Sequence, residues 1–166
     1  MKLFNVGLGL VDRLFTSLKL PLAVIFITQG SAYAQITADG TLRTIVSQNG
    51  NNFTITSGSL AGTNLFHSFQ QFSVPTGGSA IFNLLSTPNI STIFSRVTGG
   101  SVSNINGSIQ TINNNNPVSL FLLNPNGIVF GPNASLNIGG SFIASTGSSI
   151  RFADGVEFSA TSSSVS

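Results

Sequence analysis

The chain of 166 residues contains no Cys, one His and one Met, and only 6% of it is charged, where soluble domains usually carry about a quarter. Ser, Thr, Asn, Gln and Gly supply its polarity instead, without the desolvation cost of ions. Its excess positive charge lies ahead of residue 35, where Lys2, Arg13 and Lys19 face Asp12; beyond that point Arg43, Arg96 and Arg151 balance Asp39, Asp154 and Glu157. No basic patch is left to neutralise phosphates, so nucleic-acid binding is not expected.

Residues 1–34 read as a secretory signal peptide. A long basic start precedes the apolar stretch LPLAVIFIT (20–28), and Ala32 and Ala34 form the small-x-small pattern that places cleavage between Ala34 and Gln35. That apolar stretch is about half the roughly 20 residues needed to span a bilayer, which argues against an uncleaved anchor. Export without Cys excludes disulfide stapling, so packing and backbone ladders must hold the rest together. The expected organisation is a leader over 1–34, one domain over 35–158, and a Ser-rich tail over 159–166. That tail is either an improvised end or the truncated start of a longer chain.

Helix signals are nearly absent beyond the leader. Short runs that alternate apolar with small polar residues follow one another instead: TLRTIVS, NFTIT, SAIFNLL, STIFSRVT, SIQTI, SLFLL, GIVF, SLNI, SFIAS, SIRF and VEFSA. Their period of two predicts half-buried strands and an all-β fold. In NLFHSFQQFSV the residues Phe66, Phe69 and Phe72 recur every three positions, which predicts a 3₁₀-like turn or a loop tucked against the core. His67, in its middle, has no acidic neighbour and reads as a packing or surface residue.

Ile128, Phe142 and Val156 are spaced by 14, as are Phe130, Ala144 and Phe158. This rhythm is consistent with a coiled sheet of stacked units or with a β-sandwich. The run LFLL (120–123) does not alternate, so apolar cover is expected on both its faces. The outer cover is expected from the Phe66/Phe69/Phe72 segment or from a hairpin of the earlier chain. Asn124-Pro125-Asn126-Gly127 after it has the residue order of a tight turn.

Candidate chemistry is sparse. Asp154 and Glu157 flank GV and resemble a glycosidase pair in residue type alone, but Asp154-Gly155 is also an ordinary turn dipeptide. Arg96 and Arg151 have no acidic cluster near them in sequence, and Asp-rich calcium repeats are missing. No catalytic residue, cofactor or metal is expected.

The segments ITADGTLRTIV, NLFHSFQQFSV, FNLL, SVSNINGSIQT and LFLLNPNGIVFGPNASLNIGGSFIAST together resemble the N-terminal secretion domain of two-partner-secretion exoproteins, the filamentous haemagglutinin family, in its low-charge cyanobacterial style. The resemblance implies a right-handed parallel β-helix with extra-helical strands or hairpins and an N-terminal cap. It implies that the general secretory machinery exports the chain to the periplasm. An outer-membrane β-barrel transporter with POTRA modules would then recognise it and pass it to the cell surface or medium. It marks Asn124, Pro125, Asn126, Gly127 and Ile128 as the secretion motif. A second family motif, of the Asn-Ser-Gln-Leu kind, has its nearest equivalent at Ser103, Asn104 and Ile105. With so few charges, recognition is expected to be based on shape and backbone, strand addition to a sheet edge being the plausible mode. The competing reading is a surface adhesin that binds host or neighbouring cells, or glycans, directly. An outer-membrane barrel fits less well, since its strands run about ten residues.

Overall fold

In a computed structural model of the chain, residues 35–87, 89–113 and 116–161 are described. They contain fifteen β-strands and no helix. The strands wind into a parallel β-helix of about three turns, with three sheets as its faces.

The first face stacks β5 (Asn64–Phe72), β7 (Thr92–Val97), β10 (Ser119–Leu123) and β13 (Phe142–Ser145), all parallel. The second stacks β3 (Asn52–Ser57), β6 (Ser79–Asn83), β9 (Ser108–Ile112) and β12 (Ser135–Asn137), again parallel. The third is narrow: β8 (Ser103–Ile105) pairs with β11 (Ile128–Phe130), and Val74 bridges to Ile105. Inward side chains stack in columns along the coil, such as Leu65–Ile93–Leu120–Phe142 and Phe53–Ala80–Ile109–Leu136. Alternate residues of each strand point into these columns, and in β3 the burial has the period of two that the sequence predicted.

The remaining strands lie outside this winding. β1 (Ile36–Ala38) and β4 (Ser59–Ala61) both pair antiparallel with β5, on the edge away from β7. β2 (Thr44–Asn49) pairs antiparallel with β3, on the edge away from β6. Together they cap the first turn. β14 (Ser149–Arg151) and β15 (Glu157–Ser159) form an antiparallel hairpin, so regular structure continues past residue 158 to Ser159, and Ala160 after it is buried.

Three expectations need correction. NLFHSFQQFSV forms the longest strand, β5, and no turn or loop. Its period of three has a local cause: Thr37 pairs with Gln71 and Ala38 with Phe69, so Gln70 is passed over in a β-bulge. The extra residue puts Phe69 and Phe72 on the same, inward side although they are three apart. Phe66 points the other way.

The 14-residue rhythm is not the coil's repeat either. Residues stacked on one another are 22–31 apart, as in Phe142 on Leu120 and Ile105 on Val74. A spacing of 14 relates a strand to one further around the same winding, β11 to β13, for example.

Of the expected outer cover, Phe66 is present while Phe69 and Phe72 point inward, and further cover of this side comes from later in the chain. Phe66, Phe94 and Phe121 form a stacked ladder on the outer side of the first face, with centroids 5.3 and 4.9 Å apart. Phe152 and Phe158 of the hairpin meet it edge-on: Phe152 contacts Phe66 and Phe94, and Phe158 contacts Phe66. Within LFLL, Leu120 and Leu122 point into the core, Leu123 is fully buried on the outer side, and Phe121 is half-buried.

Leu122→Ala should therefore cost about 2–5 kcal/mol in urea unfolding. Val129→Ala, on a residue 53% exposed, should stay within about 0.5 kcal/mol. Ser95, whose buried hydroxyl has no hydrogen-bond partner, should be replaceable by Ala with no loss or a gain in midpoint.

Candidate functional site: the Asn-Pro-Asn-Gly corner

Where the chain leaves β10 for the third face, Asn124, Pro125, Asn126 and Gly127 make a tight corner. The Gly127 amide donates to the Asn124 carbonyl at 3.1 Å, closing a four-residue turn. The Asn126 amide donates to Asn124 Oδ1 at 3.0 Å, the local bond that suits Asn to a turn's first position. Asn126 keeps a negative φ while Gly127 lies at +117°. The turn is thus not of the type II kind, and the strained position falls on the one residue without a Cβ.

This corner is bolted to the one beneath it. Asn124, with no exposed surface, donates through Nδ2 to the Ser101 carbonyl (3.0 Å) and to Ser103 Oγ (2.9 Å). Asn126 Nδ2 donates to the Gly99 carbonyl at 2.7 Å. The Ser103 amide donates to the Gly127 carbonyl (3.0 Å), and Ile128 pairs with Ser103 at the start of the third-face ladder. Gly99 in turn rests on the Gln70 bulge, where a Cβ would lie 2.0 Å from the Gln70 carbonyl oxygen.

The two segments marked in the sequence are therefore brought together. Ser103, Asn104 and Ile105 form β8, directly beside Ile128 of β11. Ser103 and Ile105 are buried, whereas Asn104, Asn126 and Val129 are exposed and Pro125 partly so. Ala32 and Ala34 of the cleavage pattern lie outside the described residues. Gln35 is exposed, and its carbonyl accepts from the Ser73 amide.

The acidic pair considered from sequence has other uses. Asp154 Oδ1 accepts from the Val156 amide, and Glu157 lies 3.7 Å from Arg151. Among the described residues, no three His, Cys, Asp or Glu side chains gather where a metal could bind. Asn113 Nδ2 donates to the Asn116 carbonyl across the polar tract at another corner.

Sequence reasoning missed the main polar centre. Arg96, fully buried on the outer side of β7, donates from Nε to Ser68 Oγ, from one terminal nitrogen to the Ser159 carbonyl and from the other to Thr41 Oγ1. Asp39 accepts from Ser68, Thr98 and Thr41. Burial lowers the Arg96 pKa and the Asp39 carboxylate opposes this. For Asp39, burial acts upward, but hydrogen bonds from Ser68, Thr41 and Thr98 outweigh it and hold the carboxyl below its usual range. These partners lie 28 to 63 residues from Arg96 in sequence, so no local pattern reveals them.

His67 is inside the coil, 1% exposed, between the Phe69 and Phe82 rings, with Thr44 Oγ1 3.2 Å from Nδ1. Burial pushes its pKa down to about 4.

Residues 34–166 match the family described as TPS secretion domain, and the chain belongs to it. Among solved structures it is similar to the HMW1 secretion domain from Haemophilus influenzae. That likeness has 24% identity and a TM-score of 0.47, and covers 68% of this chain and 26% of the other. No curated protein matches the chain.

Asn124→Ala would orphan the buried Ser103 hydroxyl and remove bonds to the Ser101 carbonyl and the Asn126 amide, and should cost about 1–3 kcal/mol in chemical denaturation. His67 sets an acid limit. Unfolded, it binds a proton below about pH 6.5; folded, not until about pH 4. Its contribution is complete above 6.5 and declines as pH falls toward 4, by about 3 kcal/mol in all. His67→Leu should flatten that part of a stability-versus-pH curve, leaving the fall at lower pH that comes as Asp39 is protonated.

Proposed function

We propose that the chain is the targeting domain of a filamentous haemagglutinin-type exoprotein, recognised by an outer-membrane β-barrel transporter through its POTRA modules. It is exported by the general secretory machinery, cut between Ala34 and Gln35, and passed to the cell surface or medium. Membership of the secretion-domain family supports the role in general. One observation carries the finer reading. The two marked segments, 21 residues apart at Asn124 and Ser103, meet at one corner, and the face they build turns Asn104, Asn126 and Val129 to solvent.

In this reading Asn124 builds the corner and the exposed residues meet the transporter. That division fits a nearly uncharged surface, where shape and hydrogen bonding must supply specificity. Strand addition would use β2, which has a ladder partner only in β3 among the described residues.

The test is a pull-down on the POTRA region of a cognate transporter, beside a secretion assay. Val129→Lys should keep the wild-type unfolding midpoint yet lose most retention and secretion. Asn124→Ala should lower both the midpoint and secretion. If Asn124→Ala, Asn126→Ala and Gly127→Val combined leave folding and secretion unchanged, the motif assignment fails. Secretion without a partner, together with binding of the purified domain to cells or glycans, would favour a direct adhesin.

A further inference from the structure

The hairpin β14–β15 touches more than the aromatic ladder. Its last residue, Ser159, offers its carbonyl to Arg96, and the Phe158 ring lies under the same guanidinium, 4.9 Å from its centroid. On its other side Arg96 donates to Thr41 Oγ1 and, through Ser68, connects to Asp39. Thr41 and Asp39 belong to the loop that follows β1 in the N-terminal cap. Thus one buried cation has the two sequence ends of the described domain as its ligands, with the coil strands β5 and β7 between them.

We propose that the hairpin is a clasp, thermodynamically coupled to closure of the N-terminal cap through Arg96. A buried guanidinium is costly unless its donors are met. With the hairpin undocked, Arg96 loses the Ser159 carbonyl and the Phe158 ring, gains water, and relaxes its hold on Thr41 and Ser68. With the cap loop open, Arg96 is hydrated from the other side and the hairpin loses its anchor. Each docking event therefore removes part of the desolvation cost of the other. A chain that has emerged only as far as β13 holds a complete core but a loose cap; the cap tightens when residues 149–160 arrive. Phe66 and Phe94 of the aromatic ladder are covered in the same step.

Hydrogen exchange on the full chain tests the coupling. Phe158→Ala should speed exchange at the cap amides of Asp39 and Thr41 by about fivefold or more. Amides of β6 and β9, on a different face, should keep their protection. Normal cap protection alongside lost protection at the Phe152 and Ala160 amides would overturn the proposal. If Phe158→Ala does not fold, the reciprocal variant decides. Thr41→Val, remote from the hairpin's own hydrogen bonds, should speed exchange at Phe152 and Ala160 by a similar factor, and an unchanged hairpin would refute the clasp.

Discussion

A stack of parallel strands cannot end by itself. Every strand in a ladder has two edges, and the first turn of a coil leaves one of them open along each face, with the interior columns exposed beside it. In this domain the constraint is met by reversing direction. β1 and β4 lie antiparallel along the two halves of β5, and β2 lies antiparallel along β3. The cap then needs its own fastening, because three-residue strands such as β1 and β4 bring few ladder bonds. Asp39, Thr41 and Ser68 supply it, joined to the coil through Arg96.

That fastening explains how a chain with so few charged residues uses the ones it has. A lone buried cation is normally a liability. Here a hydroxyl, a backbone carbonyl, an aromatic face and, through hydroxyls, a carboxylate surround it. The ionic centre lies outside the apolar coil and beneath the hairpin, so the interior columns remain free to stack. The Asn-Pro-Asn-Gly corner, by contrast, is held by neutral groups only: amides, carbonyls and the Ser103 hydroxyl.

Much of this was legible in the sequence, for identifiable reasons. A strand with strict alternation, such as NFTIT, revealed itself because inward burial imposes a period of two. The corner was visible because turn chemistry is local: an Asn accepting from the residue two on, then Gly at positive φ. β5 was misread because a single bulged residue, Gln70, shifts the phase of the aromatic pattern and imitates a different period. The rhythm of 14 misled because the coil's real repeat varies from 22 to 31 residues between stacked partners, too uneven for self-similarity to show. Cover on the outer side of the first face could be inferred in existence but only partly in origin, since nothing local says that Phe152 and Phe158 return to Phe66. The Arg96 centre was invisible for the same reason, its ligands being scattered from Thr41 to Ser159.

The way charge is distributed has an environmental consequence. The exposed Arg151–Glu157 pair is the kind of contact that dissolved salt weakens, and such pairs contribute about 0–1 kcal/mol. The Arg96 guanidinium, with no exposed surface, sits instead among neutral hydroxyls, a carbonyl and the Phe158 ring. Raising the salt concentration should therefore screen the Arg151–Glu157 pair far more than the Arg96 guanidinium, which has no exposed surface.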